Sequence, residues 1–299
     1  MEKFVIITDS SSNLNKDLRD KYEIDYLPFI YNYEGKSYDS DLDWKTISAK
    51  EFYDMMRNGA RITSSAVNVA SYVETFEKYL SKGYDVLSIS CTSALSTSVN
   101  SSFVARDQLK EKYPDRKIIC IDSKICCGSL GLICVKAGQL RAQGKTIEEV
   151  ASWVEENKLF FNQEGSVDKL IWLKQAGRVS ASSAFFGGLL NIKPILVSDV
   201  HGYNVAVEKV KGRMTSITRV ADRVAQSYDP KGAKEIFINH TDSLEDAIVM
   251  KDELKKRLNL NDEDFVFSYV TPSVGGAIGP GMFGVYFYGK KRTVDSKVN

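Results

Sequence analysis

The chain has 299 residues and a net charge of +1, from 40 lysines and arginines against 39 aspartates and glutamates. Hydrophobic residues make up 43% and charged residues 26%, a globular balance that excludes disorder, collagen and coiled coil as the main character. Near neutrality argues against a dedicated nucleic-acid binder, which needs a basic excess to neutralise phosphates, and no apolar run approaches the length of an integral membrane span.

The first apolar run, residues 4–8, is too short for a signal-peptide core and has no cleavage site, so the expected location is cytoplasmic. It reads as a strand ending in the polar loop Asp9-Ser10-Ser11-Ser12-Asn13. Residues 30–38, with Glu34-Gly35 at their centre, read as a hairpin. Ser48 and Glu51 make a capping box for a helix that stops at Asn58-Gly59. Val69, Val73, Phe76 and Leu80 recur at helical spacing. A strand at 85–90, a helix through Val99, Phe103 and Leu109, a strand at 117–122 and a buried helix from Leu130 to about Gly144 follow. Thr146 and Glu149 open one more helix through a second capping box.

This strand–helix rhythm predicts a parallel, helix-covered sheet, in which ligands sit beyond the carboxyl ends of the strands. After Asn157 the rhythm changes. Residues 159–161 read as a strand, 170–175 as a short helix, 181–190 as a small-residue helix, and 194–197 and 204–210 as strands. Helices at 215–228 and 244–258 alternate with strands at 236–238, 265–270 and 282–288. The expected architecture is α/β in two domains: residues 1–157 with a parallel sheet, and 158–299 as an α+β domain.

The residues that carry chemistry are few. The five cysteines form no C-x-x-C pair and read as buried thiols. Only His201 and His240 are available as imidazoles, which leaves no histidine-rich metal site, and no G-x-S-x-G elbow accompanies them. No cofactor or metal is called for. Two hydroxyl-rich segments stand out, Thr63-Ser64-Ser65 before a helix and Ser93, Ser96, Thr97 and Ser98 after a strand. Such hydroxyls often serve only as helix caps. Two such loops in one sheet can also converge on a carboxylate or phosphate, with helix N–H groups assisting. Without a general base the arrangement suits holding better than cleaving. Arg178 either pairs with an anion or caps local carbonyls. The basic run 209–213 reads as a solvated strand end or an anion contact, and the glycine-rich run 275–281, which matches no nucleotide loop, as tightly packed backbone.

Taken together and in order, these segments resemble the DegV family of bacterial fatty-acid-binding proteins. The resemblance rests on Thr8-Asp9-Ser10, Thr63-Ser64, Ser93-Ala94-Leu95-Ser96, Gly177-Arg178-Val179-Ser180, Leu190-Asn191-Ile192-Lys193-Pro194-Ile195, Lys209 to Gly212 and Gly279-Pro280-Gly281. It implies two α/β domains that bury a long-chain fatty acid in a tunnel between them. Hydroxyls matching Thr63, Ser64 and Ser93, with Ser96 close behind, would hold the carboxylate. It also implies that the protein is no enzyme itself but a carrier, or the presenting subunit for a separate ATP-dependent fatty acid kinase. Arg178 and His240 match further positions of interest. The chain departs from the family pattern at Ser65-Ala66 (family Gln-Pro), at Thr97 (family Gly) and at Ala277, where many members carry histidine. Phe29 or Ile30 and the segment Phe185-Phe186-Gly187-Gly188-Leu189-Leu190 are candidate tunnel walls. The competing expectation is a cytosolic enzyme that binds a small anionic metabolite at the same loops, assisted by Arg178 or Lys211.

Overall fold

The computed structural model describes residues 3–181, 185 and 191–297. The fold is mixed α/β and is built on three sheets. The first is parallel, in the order β2-β1-β6-β7, and comprises β1 (Phe4–Asp9), β2 (Ile24–Leu27), β6 (Asp85–Ser90) and β7 (Ile118–Asp122). Its two central strands, β1 and β6, are buried along their whole length, as expected of a parallel sheet covered on both faces. The covering helices include α1 (Lys16–Lys21), α3 (Val69–Leu80), α4 (Ser98–Lys112), α5 (Cys127–Ala142) and α6 (Ile147–Asn157).

A three-stranded antiparallel sheet, β4-β3-β5, joins β3 (Phe29–Tyr33), β4 (Lys36–Ser40) and β5 (Thr63–Ser65). The β3–β4 hairpin closes through Glu34 and Gly35, both at positive φ, the geometry that a two-residue turn between twisted strands requires. The helix α2 (Ala49–Arg57) starts at the capping box of Ser48 and Glu51 and packs Phe52, Tyr53 and Met56 onto Tyr31 and Ile62.

The third sheet has six strands in the order β10-β9-β8-β13-β11-β12. These are β8 (Phe161–Ser166), β9 (Ile192–Ser198), β10 (Asn204–Lys211), β11 (Ile236–His240), β12 (Phe265–Tyr269) and β13 (Phe283–Tyr288). One face receives α8 (Arg213–Ser227) and α9 (Leu244–Arg257) over a core of Ile195, Ile217, Val220, Ile236 and Val285. The other face receives α5, which contacts β8, β11 and β13 while also touching β1 and β6. That position explains why α5 is apolar nearly all round. Gly128 and Gly131 allow the approach. A Cβ on Gly128 would lie 2.7 Å from the Tyr286 ring, and one on Gly131 2.8 Å from the Ser12 carbonyl oxygen.

Several expectations shift. Residues 158–160 form a 3-10 turn, and the strand begins only at Phe161. The short elements α1, β2 and β5 carry no sequence periodicity that would reveal them. The hydroxyl-rich segment 63–65, expected as a loop before a helix, is in fact β5, paired antiparallel with β3 in the register Tyr31–Ser64 and Asn32–Thr63, and α3 is instead capped by Asn68. Of the expected helix at 181–190, residues 182–184 and 186–190 lie outside the described residues; Phe185 packs against the main core. The glycine-rich run holds α10 (Pro272–Ile278), whose Gly275 and Gly276 press on the Tyr53 hydroxyl and Ile62.

Candidate functional site

Where β1 and β6 end, a buried carboxylate organises the loops. Asp9 accepts hydrogen bonds from the Ser11 N–H at 3.0 Å, the Ser11 hydroxyl at 2.5 Å and the Cys91 N–H at 2.7 Å. Burial pushes its pKa up to about 6, opposed by those donors. The effect is to fix Ser11 and Cys91 beside a partly open pocket whose empty space, open solvent included, is about 700 Å³.

Both halves of the chain wall this cavity. The first half contributes Phe29 of β3, Ser64 of β5, Leu95 and Ser96 of the loop after β6, and Cys126 and Cys127 at the start of α5. The second half contributes Leu196, Val167, Met282 and Tyr286 from the six-stranded sheet and its connections. It also supplies Val274, Ala277 and Ile278 of α10, Leu173 of α7 (Ile171–Gln175), and Arg178. The wall is mostly apolar, and Arg178 is the one charged residue among the described lining residues.

The structure brings Ser64, Ser96 and Arg178 to one cavity and leaves Thr63, Ser93 and His240 off its wall. Alternation along β5 explains the first split, because neighbours on a strand face opposite ways and Ser64 takes the cavity side. The Ser93 hydroxyl donates to Asp122 Oδ2 at 2.5 Å and accepts from Lys124 Nζ at 3.3 Å. Ser96 Oγ accepts the N–H of Ser98, the first residue of α4, at 3.2 Å while bordering the cavity. Arg178 Nε donates to the Leu95 carbonyl at 2.7 Å and Nη1 to the Ala176 carbonyl at 2.8 Å. Of the two sequence readings of Arg178, these bonds are those of the carbonyl cap.

His240 ends β11 in a buried position, its ring tilted at 56° with its centroid 4.4 Å from that of Tyr269, and its Nδ1 accepts the Ser243 N–H at 3.4 Å. Burial pulls its pKa down to about 4, so it is neutral near pH 7. Ala277 does line the cavity, and no histidine stands among the described lining residues. Phe29 lines it; Ile30 does not.

Residues that sequence reading passes over also border the cavity. Ser273 on α10 is held by its N–H donating to Ser40 Oγ at 2.8 Å. Gln163 on β8 donates to Asn204 on β10 at 3.1 Å, and both line the wall. The alternation of β8 could have flagged Gln163 as an inward polar residue; nothing local marks Tyr286 or the thiols.

The DegV family profile, described as that of an uncharacterised protein, matches residues 3–290. The chain belongs to the DegV family. A DegV domain-containing protein of Clostridium perfringens is 36% identical over 289 residues, covering 97% of this chain and 98% of that one. The DegV fatty acid binding protein of Bacillus subtilis is similar in structure, with 26% identity, a TM-score of 0.79 and coverage of 97% of this chain and all of that one. A DegV lipid binding protein of Thermotoga maritima superposes with a TM-score of 0.83 at 24% identity, again over 97% of this chain and all of that one. The chain thus has the two-domain DegV fold. Among its described residues no helix is long and apolar enough to cross a membrane, and no cluster of His, Cys, Asp and Glu could hold a metal ion.

Proposed function

We propose that this DegV protein binds a long-chain fatty acid in the cavity, with the carboxylate at Ser64, Ser96 and Arg178 and the tail along the apolar wall. The observation that carries the reading is the composition of that wall: mostly apolar among the described residues, with the Ser96 hydroxyl and the Arg178 cation where the 92–97 and 176–178 loops meet. A sixteen-carbon tail buries about fourteen methylenes, roughly 11 kcal/mol gross, of which lost translational and rotational freedom removes a large part. Tail burial supplies the affinity, and the polar end decides orientation. The relatives described as fatty acid and lipid binding proteins support the same reading.

We further assign residues 1–157 and 158–299 as the two domains that enclose the ligand, and the cytoplasm as its place of work. The protein acts as a carrier or presenting subunit, and phosphorylation of the carboxylate belongs to a separate ATP-dependent fatty acid kinase. An enzyme of small anionic metabolites would use a carboxylate or histidine as acid or base on the wall, and neither stands among the described lining residues.

Extraction of the purified protein into organic solvent and mass spectrometry should return a fatty acid. An empty protein that also fails to take up palmitate would overturn the reading. Ser64→Ala combined with Ser96→Ala should weaken palmitate binding roughly ten- to a hundredfold while leaving the thermal transition nearly in place. Unchanged affinity would remove these hydroxyls from the head-group site.

A further inference from the structure

Three thiols border the same cavity: Cys91 after β6, Cys126 at the N-cap of α5, and Cys127 as its first residue. Their exposures are 3%, 5% and 2%, so the cavity is their route of approach. Cys127 lies where the free N–H groups and dipole of a sixteen-residue helix favour a thiolate. The Cys126 thiol, then the Tyr286 hydroxyl and Asn13, hold the Cys127 thiol below its ordinary range against the effect of burial. Donation to Cys127 raises Cys126, and burial raises Cys91.

Tyr286 stands beside them. It is fully buried, borders the cavity, and its hydroxyl, which favours the Cys127 thiolate, makes no hydrogen bond of ordinary geometry among the described residues. Its ring lies against Gly128, the residue after Cys127. Burial and then the neighbouring Cys127 push the Tyr286 hydroxyl up, which keeps it a donor at every physiological pH. A buried hydroxyl without a partner carries an unrecovered desolvation penalty. A saturated tail offers it no acceptor, whereas an occupant with a carbonyl oxygen does.

We propose that the cavity also captures long-chain α,β-unsaturated aldehydes covalently, with Cys127 as the nucleophile and Tyr286 as the donor to the aldehyde oxygen. This rests on the lipid-binding reading, since the tail must enter the same space. The Cys127 sulfur forms a bond to the β-carbon. The carbon–carbon π pair moves toward the carbonyl, giving an enolate whose oxygen accepts from Tyr286 Oη. The proton that left the thiol ends on the α-carbon. The product is a thioether carrying a saturated aldehyde, and no oxidant, reductant or leaving group takes part.

The test uses full-length protein stripped of lipid and one equivalent of trans-2-hexadecenal, read by intact mass and peptide mapping, with palmitate binding measured by calorimetry on the same material. The expected product is one adduct with the mass of the whole aldehyde, without loss of water, on Cys127. Excess palmitate should suppress it, and Cys126→Ser should retain it. Tyr286→Phe should slow it about tenfold, and hexadecanal, which lacks the double bond, should give no thioether. Cys127→Ser should abolish it in a protein whose circular dichroism is unchanged; if that variant does not fold, mapping and palmitate competition on the unmodified chain decide alone. No adduct, a water-losing adduct on lysine, or an adduct on the half-buried Cys120 would overturn the proposal. If palmitate binds and Cys127 stays free, this inference fails and the lipid-binding reading stands. If palmitate does not bind, both fail.

Discussion

Asp9 and His240 are both buried, and each favours its neutral form, with opposite consequences for pH. The Asp9 carboxyl titrates near 6 in the folded chain against an ordinary 3.8. Between pH 4 and 6 the folded state therefore holds more protons at this group than the unfolded state, and its contribution to stability falls as pH rises. His240 titrates near 4 against an ordinary 6.5. Between those values the folded state holds fewer protons, so this group's contribution falls as pH drops. The two slopes oppose each other over the same window. His240→Gln removes one of them. Relative to the unmodified chain, the variant should gain about 3 kcal/mol of stability between pH 7 and pH 4, measured by urea unfolding. A pH-independent difference would mean that His240 is not neutralised by burial. Legibility at this scale is uneven. Ser64 and Ser96 are readable because hydroxyls cluster in sequence around them. Asp9 and Tyr286 owe their character in part to neighbours more than 80 residues away in the chain, such as Cys91 at Asp9, and no local pattern encodes that.

Among the elements, α5 bears most of the long-range packing. Among the described residues it is the helix that packs on several strands of both large sheets, and its glycines set the distances. At Gly131 the obstacle is a backbone carbonyl, Ser12 O at 2.8 Å from a built Cβ, which cannot swing away like a side chain. Gly131→Ala should cost about 1–3 kcal/mol in chemical denaturation despite the better helix propensity of alanine. A neutral or stabilising result would show that the 10–12 turn can yield. The long elements were readable from periodicity and caps: the boxes at Ser48 with Glu51 and at Thr146 with Glu149 both form as expected. Strand β5 was not. Three exposed polar residues on a sheet edge have no apolar alternation to detect, and the same segment therefore read as a loop before a helix.

For the molecule as a whole, the cavity belongs to neither half alone. Its main core cluster runs from Phe4 and Ile6 through α5 to Phe237 and Tyr286 without a break. A ligand that bridges both walls stabilises the folded chain by mass action, about 2.7 kcal/mol at a hundredfold excess over its dissociation constant. Palmitate should raise the melting temperature of stripped protein in one cooperative transition. A rise confined to one of two separable transitions would place the ligand in a single domain. At this scale the architecture was legible from the strand–helix rhythm and its change after Asn157. The meeting of the two halves at α5 was not, since which helix faces which sheet is a property of the packed chain.

The bond from Arg178 to the Leu95 carbonyl has one more consequence. It fastens a segment of the second half across a segment of the first, directly over the place assigned to the acidic end. If the acidic end is held here as proposed, the guanidinium that meets it is the same one that ties the two halves together, so uptake and release of cargo are coupled to that tie.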